Sequence, residues 1–114
     1  MSILYDQIIT EYDDSLQPTG DMAGFPIPHL KMKKLHHALF LKVEGPDNAN
    51  DAVNKAIRDA ITSGLLAAII AAAATGGVAL SAAIDAALVS LRNSLGNAFI
   101  VSTHDEQHWI EWWT

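Results

Sequence analysis

A chain of 114 residues fits one domain with a core of its own, and because it contains no cysteine it excludes disulfides, thiolate metal sites and thiol nucleophiles. Half of the residues are hydrophobic but only 7% are aromatic, so the core must be built largely from Ala, Ile, Leu and Val. The net charge of −6 is unevenly spread: residues 1–28 carry five acids and no base, whereas residues 29–43 carry Lys31, Lys33, Lys34 and Lys42 and no acid. The basic segment is expected to lie against acidic neighbours, and four lysines on an acidic chain make a poor phosphate-tracking surface, which argues against nucleic acid as a partner.

The start, MSILYDQIITEYDD, lacks a positive n-region and reaches an acid at Asp6, so no secretory leader is expected and the chain reads as cytoplasmic or released. Residues 1–16 are ambiguous: Leu4, Ile8 and Tyr12 suit a helical face, Ile8, Ile9 and Thr10 a strand. Residues 17–29 contain three prolines and two glycines and read as irregular, which makes residues 1–29 an irregular N-terminal segment.

A strand is predicted over residues 30–44, where Leu35, His37, Leu39, Leu41 and Val43 alternate with His36, Ala38, Phe40, Lys42 and Glu44. Leu30 and Met32 are out of phase with the first set, which predicts a bulge at Lys33-Lys34. Gly45-Pro46 should end the strand.

A helical hairpin is predicted over residues 51–95. Asp47, Asn48, Asn50 and Asp51 offer N-caps for a first helix reaching about Ala74. Within it every fourth residue is small: Ala52, Ala56, Ala60, Gly64, Ala68, Ala72, and then Gly76. Such a row makes a groove that lets another helix approach closely. On a straight helix the row drifts by about 40° per step, so either the helix breaks near Thr62-Ser63-Gly64 or the groove meets several neighbours. Residues 60–74 carry no charge, and a helix apolar on every side must be covered on every side. After a turn at Thr75-Gly76-Gly77, a second helix from about Val78 to Leu95 presents Leu80, Ile84, Leu88, Leu91 and Leu95, with Arg92 suiting its last turn and Gly96 its C′ position. Asp85 interrupts its apolar sequence, either as an exposed acid or as a partner of Lys55 or Arg58.

Residues 97–114 read as a β-hairpin: a strand through Phe99, Ile100 and Val101, a polar loop His104–Gln107, and a second strand His108–Trp113. The expected fold is α+β, with about three antiparallel strands in the chain order β-α-α-β-β and the Ala/Gly-rich hairpin packed on one face.

No residue is assigned a catalytic role and no cofactor is expected. His104, His108 and His37 are the weak metal candidates, but their spacing is not diagnostic outside a helix. Pairing of a His with Asp105, Glu106 or Glu111 could serve proton transfer, although a small domain covered by tightly packed helices offers little concave volume. The uncharged run Ala60–Ile84 is long enough to span a membrane, but only eight of its 25 residues are Ile, Leu or Val, which makes insertion marginal. Trp109 and Trp113 should share one strand face and Trp112 the other, so at least one indole looks away from the core. These residues and the row Gly64, Ala68, Ala72 and Gly76 are the candidate interface or membrane-facing positions. The expected function is self-association into a homo-oligomer without enzymatic activity. The alternative is a membrane-active, pore-forming or toxin-like chain that inserts residues 60–95, a hairpin similar in composition to the hydrophobic hairpin of pore-forming bacteriocins, and the third reading is a small His-dependent enzyme or metal-binding protein.

Overall fold

The alternation around Leu39, Leu41 and Val43 builds the central strand of the only sheet among the described residues. The computed structural model describes residues 1–24 and 26–114, and within them the order is β1 (Ser2–Ala23), β2 (His29–Gly45), α1 (Asn50–Thr62), α2 (Leu65–Thr75), α3 (Gly77–Leu95) and β3 (Ile100–Trp113). The strands lie in the order β1-β2-β3, each pair antiparallel, so the fold is α+β with a three-stranded open sheet.

Two of the three strands differ from the expectation. Residues 2–23 are not an irregular segment but one long strand, bent by register shifts between Ile3 and Tyr5, Ile8 and Thr10, Asp14 and Gln17, and Pro18 and Met22. The irregular part shrinks to the connection around Gly24, where Phe25 lies outside the described residues. Residues 100–113 form a single strand rather than a hairpin, and His104–Gln107 run through its middle, paired with Phe40, Leu39, Ala38 and His37 of β2. The irregularity foreseen at Lys33-Lys34 is seen on one side only: β2 and β3 pair without a break from Lys31↔Trp113 to Glu44↔Ile100, whereas the β1–β2 pairing shifts register between Asp14↔Leu35 and Gln17↔Lys33, with the extra residue on β1. Leu30 and Met32 lie on the opposite face from Leu39, in a stretch where neither face is covered and phase carries no cost.

The helices cover one face at one end of the sheet. Leu41, Val43 and Val101 are almost fully buried against Val53, Ala56, Ile57 and Ala60 of α1 and Leu91 of α3. A second cluster joins Leu39 to Ile69 and Ala73 of α2 and Leu80 and Ala87 of α3. Thus α3 runs back first along α2 and then along α1. The expected single helix to Ala74 is two helices bent by 59°, because Gly64 adopts φ +83°, a left-handed conformation that interrupts the ladder after Ser63. Gly76 (φ +69°) and Gly77 (φ +59°) make the turn between α2 and α3. The N-cap of α1 is Ala49 without a side-chain hydrogen bond, so none of the foreseen Asp or Asn caps is used.

The rest of the sheet projects beyond the helices. The molecule measures 64 × 25 × 18 Å, and its radius of gyration of 18.8 Å far exceeds the roughly 13 Å of a compact chain this long.

Candidate interaction surfaces and the histidine ladder

Charge segregation along the sequence becomes pairing across strands. β1 supplies acids, β2 and β3 supply the imidazoles, and Lys31–Glu111 (3.0 Å) and Lys34–Asp13 (2.8 Å) tie the basic segment to neighbours on both sides. On the open face His36 Nδ1 lies 2.6 Å from Asp13 Oδ1, with Glu11 at 3.4 Å, and His104 Nε2 lies 2.9 Å from Asp6 Oδ1 while its ring stacks on Phe40. The hydrogen bonds to Asp13 and Glu11 raise the His36 pKa above its ordinary value. Hydrogen bonds from Lys34 and His36 hold the Asp13 carboxyl below the usual carboxylate range.

His37 faces the helices and is the one buried polar side chain among the described residues, 6% exposed. Its Nδ1 is 2.7 Å from Asp105 Oδ2 of β3, its Nε2 is 2.9 Å from Asp14 Oδ1 of β1, and its ring stacks on Tyr12 at 4.6 Å. One side chain therefore links all three strands. Both contacts are hydrogen bonds only when both ring nitrogens carry protons. Burial pulls the His37 pKa down, but the two carboxylates outweigh it and leave the value raised. Burial first, and then the charges of Asp105 and Asp14, raise the Tyr12 pKa in the same cluster.

This arrangement does not gather the metal candidates. His37 lies on the helix side, His104 and His108 lie on the other, and no group of three or more His, Asp or Glu among the described residues is placed to hold a metal ion. The hollow beside His37, lined by Tyr12, Asp13, Asp14, Thr75, Gly76 and Leu80, opens to solvent, yet both ring nitrogens of His37 are already taken. The ladder acts as a set of staples between strands. Its acids Asp6, Glu11, Asp13 and Asp14 belong to the acid-only segment expected to neighbour the basic one, but the sequence expectation set them against lysines and not against imidazoles.

Trp109 and Trp113 do share one face and Trp112 occupies the other, as their partners Leu35, Lys31 and Met32 require. The helices, expected to cover one of these faces, do not reach them. All three indoles are exposed, at 45, 37 and 50% for Trp109, Trp112 and Trp113. Their neighbours are lysines: Lys33 Nζ stands 4.4 Å from the centre of Trp109, with Lys31 and Lys34 at 5.7 and 5.8 Å from Trp113 and Trp112. Such contacts keep a cation over each ring while leaving much of its apolar area in water.

The small-residue row is divided by the two bends. Gly64 and Gly76 are turn residues, Ala72 is half-buried beside the second cluster, and Ala68 is exposed. Although α2 has no charged residue, only Ile69 and Ala73 of its eleven residues are buried. Ile70, Val78 and Val89 are at least half exposed on the outer side of α2 and α3, and Asp85 is exposed among them. Comparison with family models, curated proteins and solved structures finds no match to this chain.

Proposed function

We propose that this chain is a non-enzymatic self-associating protein, an assembly or interaction module whose copies meet through the bare flank of α2 and α3, the tryptophan-bearing strand β3, or both. The observation that carries this reading is the uncharged helix α2, six of whose eleven residues are exposed. Exposed Ile70, Val78 and Val89 on these helices support a contact surface there. The exposed indoles add a second surface of the kind enriched at interfaces. Light scattering across a range of concentrations tests the reading: an average mass above that of one chain, rising with concentration, supports it, and the mass of one chain throughout refutes it.

A second reading is favoured by one feature of α3. Gly77–Leu95 is long and apolar enough to cross a membrane, and only 17% of its most apolar window is buried. On this reading the hairpin of α2 and α3 leaves the sheet for lipid, with Asp85 and Arg92 neutralised or facing water. Dye release from anionic liposomes between neutral and mildly acidic pH is the test, and intact vesicles with no bound protein would remove it.

A further inference from the structure

The two edges of the sheet are unlike. β1 carries extra residues at four register shifts in its pairing with β2, together with Pro18 and Ser15 at φ +56°, features that discourage further strand pairing on its outer side. β3 pairs with β2 in unbroken register over its whole length and contains no proline or glycine. Its outward groups can be identified. Arg92 Nη2 donates to Val101 O at 2.9 Å, which places Val101 O on the side away from β2, whereas Thr114 N donates to Leu30 O at 2.9 Å, which turns Thr114 toward β2. Alternation then directs the main-chain groups of Thr103, Asp105, Gln107, Trp109, Glu111 and Trp113 outward.

Resting on the self-association reading, we infer that the partner of this edge is β3 of a second copy, paired antiparallel about a two-fold axis at Gln107. A two-fold axis across an antiparallel edge places residues of one face opposite one another, so the possible registers differ by steps of two residues. Centring on Gln107 sets His108 opposite Glu106 of the partner subunit, and Glu106 opposite the partner's His108. Sliding by one step in one direction sets Glu106 against itself; the other direction sets Asp105 against Glu111. Like charges directly opposite destabilise a strand pair and complementary ones support it, which selects the Gln107 register among these three.

The same register accounts for the unequal lengths of sheet and helix layer. It brings the uncovered end of one copy beside the helix-covered end of the other, with Trp109 of the partner subunit opposite Asp105, and the pairing stops short of Val101, whose outward carbonyl already accepts from Arg92. Indoles that lie beyond the helices of their own chain thereby gain a neighbouring layer.

Because the natural chain has no cysteine, a single Gln107→Cys substitution reports on the axis directly. Facing residues of a hydrogen-bonded antiparallel pair have Cα atoms about 5.5 Å apart, within disulfide range. Under mild oxidation Q107C should form a covalent dimer at least tenfold faster than Lys55→Cys, a control on the exposed side of α1. A second arm reverses the charges: His108→Glu should weaken association and Glu106→Lys added to it should restore it, with the mass read by light scattering. If the chain associates but Q107C cross-links no faster than the control and H108E changes nothing, the edge pairing is overturned while self-association stands. A chain that stays single at every concentration overturns both.

Discussion

Replacing His37 with Phe should weaken folding below neutral pH and have much less effect above it. Phe keeps the ring volume beside Tyr12 and removes both hydrogen bonds. A bond to a charged group contributes about 1.5–3 kcal/mol. The Asp105 carboxylate is 27% exposed and keeps most of that value, whereas Asp14 at 52% keeps only the fraction of a kcal/mol typical of exposed pairs. The expected loss is about 2–3 kcal/mol near pH 6. The sign follows from the raised pKa of His37: the folded protein binds the proton more tightly than the unfolded chain, so the stabilisation is complete below the ordinary histidine value of about 6.5 and disappears as pH rises through the folded value. Once neutral, the ring retains one donor and turns a lone pair toward the other carboxylate. Urea unfolding of both proteins, followed by circular dichroism at one low concentration from pH 5.5 to 9, should show the gap narrowing by roughly 1–2 kcal/mol with increasing pH. A gap independent of pH, or one that widens toward pH 9, would refute the staple.

Leu41→Ala, at a position 1% exposed in the central strand, should cost about 2–5 kcal/mol in the same urea assay. Leu16→Ala, 65% exposed on β1, should stay within about 0.5 kcal/mol. Gly45→Ala would bring a methyl group to 2.5 Å from Phe99 Cδ1, and calorimetry should record a loss of about 1–3 kcal/mol as that ring is displaced. The intrinsic tryptophan emission of the single chain should be red-shifted and readily quenched by acrylamide, and if the β3 surface is used in association, both should fall as concentration rises.

Legibility in the sequence followed burial. The strand at residues 30–44 could be read because Leu39, Leu41 and Val43 face helices while Ala38, Phe40 and Lys42 do not, and alternation records that difference. The same rule hid β1 and the middle of β3. Their pairing is specified by carboxylate–imidazole contacts and backbone hydrogen bonds, neither of which produces a hydrophobic period, so His104–Gln107 looks like a loop, and the register shifts along β1 leave residues 1–16 ambiguous. The helix break at Gly64 was accessible from geometry, since the row of small residues could not face one partner along its length. The candidate site was half legible: the tryptophans and the uncharged helix stood out, whereas the contrast between a rough and a smooth sheet edge needs coordinates.

The corrugation of β1 limits how far growth by strand addition can proceed. A chain with two straight rims could recruit copies indefinitely and lengthen into a ribbon, the route toward fibrils. Here the shifts around Ile8, Asp14 and Pro18 discourage one rim from templating a neighbour. Joining two molecules along β3 would turn both rough margins outward and produce a six-stranded sheet that terminates itself.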